Sequence, residues 1–499
     1  MYQLFSSQYY LAFFSVWLTV AVCNGQDFAN DIVDREQGQK QADNQDPAAS
    51  APPDVAQQNA ANRARVVAAL IKEMNELIPG DYQNNAPQQA LLVEMANAFV
   101  QVDANAVDAA FNRLAEQEPN LPPKGLLLAG ANFTISNAAG GQALLERTAM
   151  DHPSHPSIPL AFSRLAISQG RLSDALALVE KSARQMAESK LSPVEQRHYL
   201  IETTDVQQII AKRQNRTEDA LALVGQWEQL DPTSPKMMIA RAEVEFQKGD
   251  IEKSQNYLRK FRAVVPDSRP TELVLATWFQ QKGDVEGTEQ WVKRAAANYP
   301  DNPDVQLELG NWAISQEDFD TAEKAIATVE AKQGGKPNTE AMKARIAFAK
   351  GDYPQAEKRF ELLYQQQPNS FDISNMYVLA LAESPDDSKK KMAIQLAQRN
   401  LQGLPNNHIA QSAFGWALLK SGNVQDAKTL FSRVARLQRL PPEIAYYLAV
   451  ILEQDGKSDQ AKQLLQTALK SQGMFLYRSK AKEMLDRIET GAGLPDPNQ

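Results

Sequence analysis

The chain has 499 residues, 43% hydrophobic and 23% charged, a composition that excludes a collagen-like or wholly disordered protein. Its 52 Lys and Arg against 61 Asp and Glu leave a net charge of −9, which argues against nonspecific nucleic-acid binding, since that needs clustered cations. One cysteine, Cys23, excludes a disulfide framework and a Cys-based zinc site, and four histidines argue against a His-rich metal centre.

In chain order, the apolar run Leu11–Val22 is too short to span a bilayer and suits the core of a secretory signal, with small residues following at Ala21, Cys23 and Gly25. Residues 1–10 carry no Lys or Arg, which departs from the usual signal. Segment 1–25 is therefore read as a signal peptide, with an uncleaved anchor as the alternative. The tetrad VAVC resembles a bacterial lipoprotein box, although Val22 departs from the small residue preferred there. Cys23 is then either an acylated mature N-terminus or a residue removed with the signal. Residues 26–53, rich in Gln, Asn, Asp, Ala and Pro, read as a disordered tether, because they cannot bury enough apolar surface to offset their ordering entropy. An N-terminal helix or cap follows over 54–87: Val66, Val67, Leu70, Ile71, Met74 and Ile78 recur at helical spacing and stop at Pro79-Gly80.

From residue 88 onward the sequence repeats every 34 residues. Gly249-Asp250, Gly283-Asp284 and Gly351-Asp352 keep this step, and it sets unit starts at 88, 122, 156, 201, 235, 269, 303, 337, 371, 408 and 442. Two insertions interrupt it, Lys190–Leu200 and three residues within Ser384–Lys391. Seven of the eleven unit-end slots hold proline (119, 153, 232, 266, 300, 368, 405), where chance supplies fewer than one. Each unit reads helix, turn, helix: the turn glycine supplies a left-handed residue, and the final proline stops the second helix. Position 20 is small (Ala175, Ala220, Ser254, Ala322, Ala356, Ala393, Ala427, Ala461), and position 24 is mostly large, as in Phe111, Leu145, Leu258, Ile326, Phe360, Phe431 and Leu465. Such a pair lets two helices approach closely. Position 8 is small in most units, including Ala242, Gly310 and Gly415.

This pattern resembles the tetratricopeptide repeat family, most closely at Leu309-Gly310 with Ala322, at Phe414-Gly415 with Ala427 and Phe431, and at Ala356 with Phe360 and Pro368. The family Trp at position 4 is absent, and Val102 and Ser136 stand in the turn slots of the first two units. The resemblance covers 88–475 and implies an all-α solenoid of eleven helical hairpins in a right-handed superhelix. Residues 476–490 are expected to form a capping helix that shields the last repeat, followed by a tail over 491–499.

Little in the chain points to catalysis. His152 and His155 flank Pro153 at a unit boundary without a nearby Cys, while His198 lies in the insertion and His408 opens a unit. No nucleophile elbow, HExxH or Gly-rich phosphate loop occurs, and the longest segment outside the repeats, the 34 residues of 54–87, leaves no room for a catalytic domain. Asn132 and Asn215 begin glycosylation sequons that fall within the repeat register. Trp278 and Trp312 share position 10 of adjacent units, which reads as core.

The resemblance also implies a concave groove lined by positions 2, 5, 9, 12 and 13 of each first helix. Here these include Arg164, Phe246, Asn311, Arg345, Phe348, Asn375, Trp416, Lys420 and Tyr446. The aromatics among them are either exposed binding hot spots or packing between neighbouring first helices. Asn311 at position 9 has Leu307 at position 5, so the two-carboxylate clamp of some family members is not expected. The sequence thus reads as a non-enzymatic protein-interaction scaffold of the cell envelope, exported and periplasmic, without cofactor or nucleic-acid partner. Its partners would be peptide segments or envelope subunits, and it would touch a membrane only through its N-terminus. The alternative is a lipid-anchored subunit of an envelope assembly or polysaccharide-export machinery.

Overall fold

A computed structural model describes residues 53–491 except 81–84, 119, 136, 436–439 and 472. The signal segment, Cys23 and nearly all of the tether and tail lie outside the described residues. Among those described there are 24 helices and no strand. No helix there is long and apolar enough to cross a membrane. The chain divides into two compact units, residues 1–266 and 267–499.

The first unit opens with α1 (Pro53–Leu77) and continues as helix pairs. These are α2 (Ala86–Val100) with α3 (Ala104–Gln117), α4 (Lys124–Thr134) with α5 (Ala138–Asp151), and α6 (Ser157–Ser168) with α7 (Leu172–Glu188). Then come α8 (Pro193–Arg213) with α9 (Thr217–Leu230), and α10 (Pro235–Lys248) with α11 (Ile251–Val264). Helix α1 packs on both α2 and α4, placing Val67, Leu70 and Met74 against Leu92, Met95 and Leu127. The insertion at 190–200 is structured: it carries the first two turns of α8, started by a capping box between Ser192 and Glu195.

The second unit pairs α12 (Thr271–Lys282) with α13 (Val285–Asn298), α14 (Pro303–Ser315) with α15 (Phe319–Gln333), and α16 (Pro337–Ala349) with α17 (Tyr353–Gln366). It then pairs α18 (Phe371–Ala382) with α19 (Asp387–Gly403), α20 (His408–Lys420) with α21 (Val424–Val434), and α22 (Pro442–Gln454) with α23 (Ser458–Leu469). A last helix, α24 (Arg478–Thr490), packs against α23.

The hairpin interior has a simple physical cause. All eight small residues at position 20 are fully buried, as are Leu145, Phe360 and Leu465 at position 24. At Gly415 the close approach is measurable: a Cβ there would lie 2.9 Å from the Phe431 ring of the partner helix. The turn residue adopts a left-handed φ at Gly170, Gly249, Gly283, Gly351, Gly422 and Gly456. Val102, Asn215 and Glu317 fill the same slot with φ of 59°, 58° and 60°. The turn geometry therefore persists without glycine, at the cost of strain in a side-chain-bearing residue.

Candidate partner-binding surface

In the first unit, successive first helices bring alternating charges together. Arg164 on α6 pairs with Glu202 on α8, and Lys236 on α10 lies 2.9 Å from Asp205 and 3.9 Å from Glu202. Lys212 on α8 lies 2.5 Å from Glu243 on α10. Glu202, Asp205, Lys212, Lys236 and Glu243 all occupy groove positions of the repeat. Burial pushes the Asp205 carboxyl up, but Lys236 and Arg164 more than offset this and hold it below the ordinary carboxylate value. Arg164 also lines a small cleft with Glu76 of α1, Leu126, Leu160, His198 and Glu202. Burial first, then Arg164 and Lys236, pushes the His198 imidazole down to about 4, so it is neutral at physiological pH. Phe246 is buried and offers no exposed aromatic.

In the second unit, Asn311 and Arg345 are half-buried, Asn375 is buried, and Arg345 faces the charge of Asp372. Phe348, Trp416 and Tyr446 are buried as well. What covers them is Tyr477, just before α24. Its ring lies 5.2 Å from Phe348 and 5.5 Å from Trp416, both edge-on, and 5.2 Å from Tyr446, stacked. Repeat position assigned these residues to one face, which they share. It did not reveal that the chain's own C-terminal segment lies on that face.

Beside this aromatic cluster sits Glu383, whose side chain is 1% exposed. Its carboxylate accepts from Trp416 Nε1 at 2.9 Å and from Lys480 Nζ at 2.9 Å, with Lys420 Nζ at 3.2 Å. Lys480 also stands 4.5 Å above the Tyr353 ring. Further along α24, Lys482 pairs with Glu317 at 2.7 Å, and Ser479 donates to the same carboxylate at 3.3 Å. The sequence reading passed over Glu383, Glu317, Tyr477 and Lys480. A signal existed: Glu383 is at position 13 of its unit, and Tyr477 and Lys480 would be positions 2 and 5 of a unit starting at 476.

Among the described residues, no group of three or more His, Cys, Asp or Glu is arranged to hold a metal. His155 Nδ1 is instead 2.7 Å from Ser157 Oγ. Asn132 is buried, with its amide donating to the Leu128 carbonyl, whereas Asn215 is exposed in its turn. Trp278 is buried, and half-buried Trp312 has the Lys293 ammonium 5.3 Å from its ring centre.

A single recurring part, the helical hairpin, builds both units and places the protein in the class of all-α repeat proteins. More particularly, residues 412–474, from within α20 through α23, match the tetratricopeptide repeat family model. Proteins of this family are generally non-enzymatic scaffolds for other proteins or peptides. No curated protein matches this sequence. Among solved structures, the human IFIT1 dimer with m7Gppp-AAAA is similar at 15% identity, over 70% of this chain and 85% of that one, with a TM-score of 0.39. Yeast Tom70 is similar at 11% identity, over 82% and 97%, with a TM-score of 0.35. A tetratricopeptide repeat protein from Parabacteroides merdae is similar at 13% identity, over 67% and 98%, with a TM-score of 0.24.

Proposed function

We propose that this protein is a non-enzymatic scaffold of the cell envelope that holds partner protein segments against the inner face of its first helices. The observation that carries the reading is that this face already holds a protein segment: residues 474–490 lie on it through an aromatic anchor and charge-assisted hydrogen bonds. Aromatic and charged groups gathered in this way are the usual composition of binding hot spots. A preformed surface of rigid helices also loses little entropy on binding, which leaves the ordering cost to the partner. Export rests on segment 1–25 and lipid anchoring on Cys23, and N-terminal mass spectrometry of the protein from its native membrane fraction separates the two: a diacylglyceryl mass on Cys23 supports the anchored subunit, and a start beyond Cys23 supports a free periplasmic scaffold.

The scaffold reading is tested with a photo-crosslinking residue at Lys236, in the first-helix face, and at Lys293, on a second helix. Both side chains are open enough to carry the label, at 46% and 59% exposure. Adducts of defined mass from position 236 and none from 293 are expected. Equal labelling from both positions would defeat the reading.

A further inference from the structure

Solenoid caps ordinarily touch only the repeat they close. The C-terminal segment of this chain reaches much further. Met474 packs among Ile314, Met342 and Ile346 of α14 and α16, Tyr477 meets Phe348, Trp416 and Tyr446, and Lys480 and Lys482 reach Glu383 and Glu317. Lys482 and Glu317 are 165 residues apart in sequence. The return is held by Arg478, whose guanidinium donates to the carbonyls of Leu469 at 3.1 Å, Ser471 at 2.6 Å and Gly473 at 3.2 Å.

Glu317 adds an independent observation. It fills the hairpin turn slot with a φ of 60°, where six other hairpins use glycine. A glycine would satisfy the turn more cheaply, so the turn gives no reason for a glutamate. The contact does, because its carboxylate takes both Ser479 and Lys482. Val102 and Asn215 carry the same positive φ in their turns, so what distinguishes Glu317 is its contact with the C-terminal segment.

We propose that residues 474–490 are a resident, displaceable occupant of the partner groove in the second unit, and that the partner is a protein segment of the same chemistry: an aromatic anchor followed three and five residues later by lysine. This rests on the scaffold reading above. Tyr477 fills the aromatic cluster, Lys480 takes Glu383 and Lys482 takes Glu317, so an incoming segment must supply these three groups to compete. Being tethered, the resident segment acts at high effective concentration, and the groove binds partners weakly until it leaves.

The test uses the full-length protein and a labelled peptide of the sequence MFLYRSKAKEMLDRIET, which is residues 474–490. Two full-length variants loosen the resident segment and leave the groove intact, Tyr477→Ala/Lys480→Ala and Ser479→Ala/Lys482→Ala. The second removes only the exposed contacts to Glu317, so it keeps the test valid should the first fail to fold. The expected result is that both variants bind the peptide at least about tenfold more tightly than the unaltered protein, while a Tyr477→Ala peptide does not bind. Hydrogen exchange should quicken over 474–490 and stay unchanged over α20–α23. The proposal is overturned if the opened variants bind no peptide, or if 474–490 exchanges only together with α20–α23 in every protein. A groove-crosslinked partner without peptide binding would sink this inference alone. Peptide binding without any groove-crosslinked partner would sink the scaffold reading alone.

Discussion

Glu383 joins three elements through one carboxylate, since its donors come from Trp416 and Lys420 on α20 and from Lys480 on α24. Burial pushes its carboxyl up, and Lys420 and Lys480 reverse that, so it lies below the ordinary value of 4.5. A carboxylate whose folded value is depressed stabilises the fold above its unfolded value and loses that contribution as pH falls through the folded one. Thermal melts taken from about pH 7 down to pH 3 should therefore show a loss in the native protein that is reduced in Glu383→Gln. Glu383→Ala leaves two lysines and an indole N–H without their acceptor, and should cost about 3 kcal/mol at neutral pH. Gly415 is constrained by packing instead of charge. Gly415→Ala puts a Cβ 2.9 Å from the Phe431 ring, so the ring or the helix must shift to admit it. It should destabilise by about 1–3 kcal/mol, read as a lower midpoint in urea without change of slope.

At the scale of the element, the hairpins were legible and the ends were not. Helix–turn–helix spacing follows from residues that recur every 34 positions, and the buried alanines at position 20 and bulky residues at position 24 explain why the two helices of a pair meet. Even Val102, a poor turn residue by sequence, takes the left-handed conformation, because the packed helices on either side leave the turn no alternative. The destination of α24 was not legible, since a repeat register names the face a residue occupies but not what covers that face. For the same reason the aromatics at 348, 416 and 446 read equally well as exposed or packed. The docking of α24 should also depend on pH at a second point. Glu443 on α22 is pushed up to about 7 by burial, against the pull of its own and Leu476 backbone N–H groups and of Arg478. Here the sign is opposite to that of Glu383: a raised carboxyl stabilises fully below its ordinary value, and the contribution is lost as pH rises through about 7. Limited proteolysis should cut within 474–490 faster at about pH 8 than at pH 6, and Glu443→Gln should abolish the difference. Equal cutting rates in the native protein would refute this assignment. Glu73 on α1 is also raised to about 7, chiefly by burial and then by Glu76, so Glu73→Gln should remove a similar loss at the start of the first unit.

At the scale of the molecule, each hairpin gains most of its stability from itself and its immediate neighbours, so a defect should stay local. Phe360 provides the test: it is fully buried in α17, at the position that holds its hairpin together. Phe360→Ala removes a ring that the surrounding helices cannot collapse to replace, and should cost about 3–5 kcal/mol. In a protein that unfolds as one cooperative body, that loss would accelerate exchange of every slowly exchanging amide by the same factor. In a series of stacked hairpins it should be felt most in α16 and α17, less in the adjoining α14–α15 and α18–α19 pairs, and not at all in α4–α5. Because each 1.4 kcal/mol is a tenfold change in an opening equilibrium, the expected gradient runs from roughly a hundredfold or more at α17 to no change in the distant pair. Segment 474–490 adds one deliberate exception. Tyr477 touches Phe348 on α16, so opening that hairpin should also release the C-terminal segment. Exchange over 474–490 should then rise with α16 and α17 and ahead of the sequence-adjacent α22–α23, an order that nearest-neighbour stacking by itself does not produce.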